Sequence, residues 1–187
     1  MNSKANLYYT KTAVILHWIM AVPMIGLLLF GLQTMGNHNG RLLPTLHASA
    51  GFLLLALVIY RLIWRSMNPP PPLPEGMRRG ERLLAKLSHS VLYAAMILLP
   101  LSGWFAFTEH VRRSLGVASA SLLWMIKIPL LPDFGINFHF IHKWGGKAVM
   151  ALIAIHVLAA LKHHFLDRDN VLRRIIIWKQ KSSSKQL

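Results

Sequence analysis

The chain has 187 residues, of which 54% are hydrophobic and only 14% charged, with 21 Lys and Arg against 6 Asp and Glu for a formal net charge of +15. A soluble domain spreads its charges over its surface, whereas here they gather between long uncharged stretches, which excludes that class and points to lipid as the solvent. With no cysteine in the sequence, disulfides and thiolate-held metals are excluded as well.

The first apolar run, expected to cross the membrane over 13–34, follows Lys4 and Lys11, the arrangement of a secretory signal. It is too long for a signal core, no small-x-small cleavage site follows it, and it carries His17 in its first turns, so it reads as a helix of the mature protein. A second run predicts a span over 43–64, with His47 near its start. The loop over 66–86 then holds NPPPPLP (68–74), which cannot be helical and reads as a stiff extended strap.

A third span is expected over 87–108, with His89 in its first turn. The long connection over 109–141 contains an apolar run from Leu122 to Leu131, interrupted by Lys127 and Pro129. We read it as an interfacial cap over one mouth of the bundle and not as a fifth span. The fourth span, over 142–165, is charge-free only from Ala148 to Leu161. Its flanking Lys147 and Lys162 can snorkel, and Trp144 and Phe165 can sit at the interfaces. Each run can cross a hydrocarbon layer of roughly 30 Å, which needs about 20 residues of helix. The expected fold is an all-α, integral membrane four-helix bundle.

With both termini on the cytoplasmic side, the inner segments hold 15 Lys and Arg and the outer segments 6, among them Arg41, Arg112 and Arg113. That distribution obeys the positive-inside rule. It also explains the net charge through topology and anionic lipid, so membrane lipid is the expected partner and nucleic acid is not.

Ten histidines carry the chemistry. An imidazole inside a membrane helix is costly and by default functional. His17 lies near the inner end of span one and His47 near the outer end of span two. On span four, His142 and His156 are 14 residues apart, roughly 21 Å along the axis and within about 40° of one face. Depth then pairs His17 with His156 and His47 with His142, at two levels of one bundle. A haem iron held by one imidazole from each side fits such pairs. Zinc fits less well, because no Asp or Glu lies within a span to complete four ligands. Without cysteine, such haem would be b-type.

His139 lies about 100° off the face shared by His142 and His156 and is expected in the loop. His38 and His110 are expected at the surface. Gly51, Gly145 and Gly146 can admit a macrocycle edge or simply permit close helix packing. His163, seven residues beyond His156 and about 20° off its face, is placed to meet a quinone head or an inner haem propionate, and His89 can reach the same region.

The segments TAVILHW, LPTLHASAGFLLLALVIYRLIWR with its Pro-rich sequel, LSHSVLYAAMILLPLSGW and HKWGGKAVMALIAIHVLAALKHHFLDRDNVLRRI resemble the bacterial cytochrome b561 family over nearly the whole chain. The outer connection from about 109 to 138 is excepted, and the most specific stretch is His163 and His164 followed by DRDNVL. The resemblance implies two haem b groups ligated by His17, His47, His142 and His156 in a multi-pass protein of the bacterial inner (plasma) membrane. It further implies electron transfer between an outer donor or acceptor and the quinone pool. One branch similar in size and motifs oxidises superoxide outside and reduces ubiquinone, chemistry suited to a basic outer mouth. Two rival readings are the electron-accepting membrane anchor of a larger dehydrogenase, with a redox partner subunit, and a haem-free histidine-lined metal carrier.

Overall fold

The computed structural model describes residues 8–34, 42–74, 76–115, 119–123 and 125–176. Arg41 and His38, read from the sequence as parts of the first outer connection, lie outside them. Four long helices dominate: α1 (Lys11–Thr34), α2 (Leu42–Met67), α3 (Arg79–Leu115) and α4 (Phe138–Phe165). Each is long and apolar enough to cross a membrane. Large apolar side chains such as Val22, Leu53, Leu98 and Leu158 stand 63 to 65% exposed along all four, so the outer faces are as apolar as the inner ones. That is how a helix reads when its solvent is lipid.

Helix α1 packs on α2, α2 on α3, α3 on α4 and α4 back on α1, which closes a ring and leaves α1/α3 and α2/α4 as diagonals. The tightest packing lies between Met20 and Met24 of α1 and Leu54 and Val58 of α2, with Met96, Ile97 and Ile153 completing the layer. This apolar plug divides the bundle into two ends.

At the strap end, the Pro-rich segment is short. Helix α3 starts at Arg79, inside the 66–86 stretch expected as loop, because RGERLLAK is helix-forming sequence with Glu81 in the first turn. Arg174 on the short helix α5 (Val171–Ile176) donates to the Pro72 carbonyl at 2.6 Å, and Trp18 Nε1 donates to the Ile175 carbonyl at 3.0 Å. Thus α5 is tied both to the strap and to α1.

At the other end, the 109–141 connection is partly helical. Helix α3 runs on to Leu115, supported by the Glu109–Arg113 pair one turn apart. A hairpin follows, with β1 (Ser119–Leu122) antiparallel to β2 (Ile126–Pro129) and Leu122 opposite Ile126. Ile128 of the hairpin clusters with Phe107 and Val111 of α3, Phe52 of α2 packs against that cluster, and the Ser49 hydroxyl accepts the Leu123 N–H at 3.0 Å. Helix α4 begins at Phe138, four residues before the expected span, because the Asn137 side chain caps it by accepting the Phe140 N–H at 2.9 Å.

One ammonium clamps the strap end: Lys162 Nζ lies 2.6 Å from Glu81 Oε1 and 2.8 Å from Asp167 Oδ2, joining α3, α4 and the turn after α4. Hydrogen bonding from Lys162 is the main reason the Asp167 carboxyl is held below its ordinary value of 3.8. A carboxyl depressed on folding contributes stability that is complete above its unfolded value and is lost as pH falls through the folded one. We expect the thermal midpoint of the purified protein to be level from about pH 7 to 5 and to drop below about pH 4. In Lys162→Met that acid-side drop should be visibly smaller; an unchanged acid limb counts against the clamp.

Candidate functional site

Two histidines meet across the α2/α4 diagonal at the hairpin end. The ring centroids of His47 and His142 are 5.9 Å apart with the planes at 81°. Two imidazoles sharing one metal through bonds of about 2 Å hold their centroids roughly 6 Å apart, so the spacing suits an ion between them. His142 is oriented from α3: its Nδ1 lies 3.0 Å from the Leu99 carbonyl and 3.1 Å from Ser102 Oγ. A carbonyl can only accept, so Nδ1 carries the hydrogen and Nε2 is the nitrogen left with a lone pair to offer a metal. The opposite ring, His47, stacks on Phe30 at 6.1 Å, and its Nδ1 is buried without a hydrogen-bond partner.

An apolar cavity of about 220 Å³ adjoins the pair. One water needs only about 10–15 Å³, so this is a space for a larger guest. All four helices line it, with Gly31, Gly51, Gly103 and Gly146 among the lining residues and His110, His139, Lys143 and Lys147 at its polar side. A haem b, a flat apolar disc with two carboxylates, fits a wall of this kind: backbone exposed at glycine, cations at the rim, and two imidazoles at the spacing of a bis-ligated ion.

The strap end brings together three histidines. His156 of α4 meets His89 of α3 with ring centroids 5.4 Å apart, and His17 of α1 lies at the same end of the bundle. His17 Nδ1 faces Arg61 Nη2 at 3.4 Å, while Arg61 Nε donates to the Tyr93 hydroxyl at 3.2 Å. Since a guanidinium has only donors, that contact turns the Nδ1 lone pair of His17 toward Arg61. This level therefore fits a haem less directly than the other. The residue types are right, but the expected His17–His156 pair is not ring to ring, and His89 holds the place against His156.

His163 is at the last turn of α4, with a side chain 13% exposed and Nδ1 between Asp169 Oδ2 at 2.7 Å and Asp167 Oδ2 at 3.1 Å. His139, expected in the loop, is the second residue of α4 and lines the cavity, and His110, expected in a surface loop, lies in α3 beside it. Only the element is corrected, since α3 and α4 run further than expected; both side chains are exposed, as expected of His110. Of the glycines singled out in the sequence, a Cβ on Gly145 would stand 3.2 Å from Leu99 Cδ1 and one on Gly146 3.8 Å from Leu28 Cδ2, both facing a neighbouring helix, whereas one on Gly51 would meet open space. The glycine that matters most was missed. A Cβ on Gly103 would stand 2.8 Å from His142 Cε1, so the ring fits only because that position has no side chain. Its signal was the LPLSGW segment, where Leu99, Ser102 and Gly103 all touch His142.

The chain matches the family model described as prokaryotic cytochrome b561 over residues 8–178. It is 32% identical to cytochrome b561 homolog 2 of Escherichia coli (strain K12) over 176 residues, covering 90% of each chain. It is 29% identical to cytochrome b561 homolog 1 of the same organism, over 90% of this chain and 96% of that one. A third relative, the probable superoxide oxidase CybB of Yersinia pestis, is 28% identical over 134 residues, 70% of this chain and 73% of its own.

Overpacking a tight site costs about 1–3 kcal/mol, so Gly103→Ala should lower stability by that order in denaturant or thermal unfolding. Gly51→Ala, with nothing within 4 Å of the added carbon, should be close to neutral. Equal effects of the two substitutions would show that His142 is not held against α3 in this way.

Proposed function

The chain belongs to the prokaryotic cytochrome b561 family, b-type haem electron-transfer proteins of bacterial membranes, and we propose that it is a dihaem cytochrome passing electrons from a periplasmic one-electron donor to ubiquinone. Superoxide is the donor we favour. The family membership sets aside a haem-free metal carrier. The observation that carries the reading is the His47–His142 pair, 5.9 Å between centroids, beside an apolar cavity built from all four helices.

We assign the hairpin-end haem to His47 and His142 and the strap-end haem to His17 and His156. At the strap end, the Arg61–His17 contact must open for His17 to ligate, and Arg61 is then free to turn toward a propionate. The orientation we propose puts both termini in the cytoplasm, supported by the 15-to-6 division of basic residues. The hairpin end then faces the periplasm, with Lys143 and Lys147 at the cavity to attract an anion such as superoxide. The Yersinia relative, named a probable superoxide oxidase, supports that choice of donor.

When bound, haem supplies reversible one-electron chemistry at iron. The protein's own residues do the rest. Leu99 and Ser102 fix the tautomer and ring orientation of His142; the Met20, Met24, Leu54 and Val58 layer keeps water out of the path between the two levels. At the strap end, His163 and His89 are the proposed quinone contacts, His163 as the group that gives protons to the reduced head.

Anaerobic redox titration with optical and paramagnetic detection tests the ligand assignment. We expect two haems per wild-type chain, loss of one in His47→Ala or His142→Ala, and loss of the other in His17→Ala or His156→Ala. A single haem in the wild type would overturn the dihaem reading. Reduction of the purified chain by superoxide alone supports the donor; reduction only when a further subunit is added would instead make this chain the membrane anchor of a dehydrogenase.

With quinone as acceptor, His163→Ala should slow haem reoxidation about a hundredfold or more, within the range general acid catalysis supplies, about 10²–10⁴. His89→Ala should weaken it less. Unchanged rates in both variants count against the quinone assignment.

A further inference from the structure

The turn after α4 is built more elaborately than a helix end requires. Leu166 and Asp167 N–H both reach the Lys162 carbonyl, at 2.9 and 3.2 Å, and Asp169 N–H reaches the His163 carbonyl at 3.0 Å. Between the two aspartates, Arg168 sits at φ 53, the left-handed region that a residue with a side chain occupies only when its surroundings impose it. The consequence is geometric: one residue of reversed curvature swings both carboxylates onto a single imidazole. Asp169 serves two tasks at once. Its Oδ1 accepts the Val171 N–H at 2.9 Å, opening α5, and its Oδ2 holds His163 Nδ1 at 2.7 Å.

We propose that Asp169 is a positioning residue that fixes His163 by Nδ1, so that Nε2 presents a proton to a quinone carbonyl oxygen at the strap end. The inference rests on the quinone reading above and adds to it the device that aims and recharges the proton donor. A carboxylate only accepts, so Nδ1 must keep its hydrogen, and the proton that leaves His163 is the one on Nε2.

The step balances. A quinone takes up two electrons, which arrive one at a time along the bundle, and two protons. For each proton, the N–H bond at Nε2 breaks as an O–H bond forms, the electron pair stays on the ring, and the neutral imidazole remains hydrogen-bonded to Asp169. A proton from the aqueous phase then returns to Nε2 and restores the imidazolium for the second transfer.

The charged groups around His163 favour this assignment. In the turn these are Asp167 and Asp169. On α4 it is Lys162, bound to Asp167 and to Glu81 of α3, while Arg78, just before α3, acts on Asp167 from the same side. On α5, Arg174 is turned to the Pro72 carbonyl. Neighbouring His164 packs edge-on against Phe165, with Nδ1 buried and without a partner, so it does not compete for the carboxylates.

The test uses the full-length, haem-loaded protein in nanodiscs, reduced beforehand and mixed with a short-chain ubiquinone analogue in stopped flow. Loss of the reduced haem band is followed from pH 5.5 to 9. In Asp169→Asn, which can still accept from Nδ1 but has no charge, we expect the maximal rate to fall at least tenfold with little change in the quinone concentration giving half-maximal rate. The alkaline limb of the pH profile should move to lower pH, and Asp169→Glu should recover most of the rate. Haem spectra and midpoint potentials should stay as in the wild type. If wild type is reoxidised by the quinone and Asp169→Asn matches it in rate and pH profile, the positioning role is wrong. If Asp169→Asn and Asp169→Glu both lose rate at every pH alike, with altered haem spectra, the turn is only structural and the proposal also fails. If even the wild type is not reoxidised, the quinone reading itself is what falls, and the inference falls with it.

Discussion

Within a hydrocarbon layer, an imidazole must find its partners inside the protein, and the arrangement around His142 shows how much of the bundle answers to that requirement. The Leu99 carbonyl is available to it, Ser102 reinforces the contact, and Gly103 removes the side chain that would block the approach. Three consecutive features of α3 therefore fix one ring on α4. Because that ring reaches across the diagonal to His47, the spacing of α2 from α4, and with it the cavity between them, follows from a contact made on the third helix. His47 has no comparable support: it is held by stacking on Phe30, and its Nδ1 has no hydrogen-bond partner. One ring is thus preset by hydrogen bonds and the other by packing alone.

Much of this was legible in the sequence, for a physical reason. Lipid demands about 20 apolar residues per span, so charge-free windows locate helices directly, and imidazoles inside them stand out. Depth and helical rotation sufficed to bring His47 to His142. The same reasoning failed wherever helices extend beyond the lipid, since charged helical turns such as Arg79–Lys86 and Glu109–Arg113 look like loop to a hydropathy window. His110 is expected in a loop for that reason, whereas His139 is set aside by its rotation off the face of His142 and His156; both are exposed residues that line the cavity. The hairpin was invisible for another reason: β1 and β2 are four residues each and gain their order from packing on α2 and α3. The role of Gly103 could not be read from any one-dimensional pattern, because it depends on the rotation of α3 relative to α4.

The two ends of the bundle differ in electrostatics more than in residue count. At the strap end, Arg61 is near His17, Arg65 stands over the Tyr93 ring at 5.2 Å, and the described acids are engaged elsewhere: Glu81 and Asp167 with Lys162, Asp169 with His163. Two arginines without acidic partners among the described residues favour an anion there, and the carboxylates of a bound macrocycle are anions of the right chemistry. At the hairpin end, the cations that line the cavity, Lys143 and Lys147, belong to α4, with Lys147 lying over the Trp144 ring at 4.3 Å. Both ends thus attract negative charge, the one for holding a group in place and the other toward an open rim.

Helix α4 supplies the continuity between them. His142, His156 and His163 follow one another at intervals of 14 and 7 residues, close to whole numbers of turns, so the three rings lie along one inner face at depths roughly 21 and 10 Å apart. A single rigid element therefore sets both the separation of the two levels and the distance from the strap-end level to the surface. Any bend in α4 would change both together. Lys162, clamped to Glu81 and Asp167, and Asn137, capping the first turn, secure the helix at its two ends. The constraint explains why the final turn is held by so many polar contacts in a protein that otherwise has few: the position of His163 is the end of a ruler whose other marks are His142 and His156.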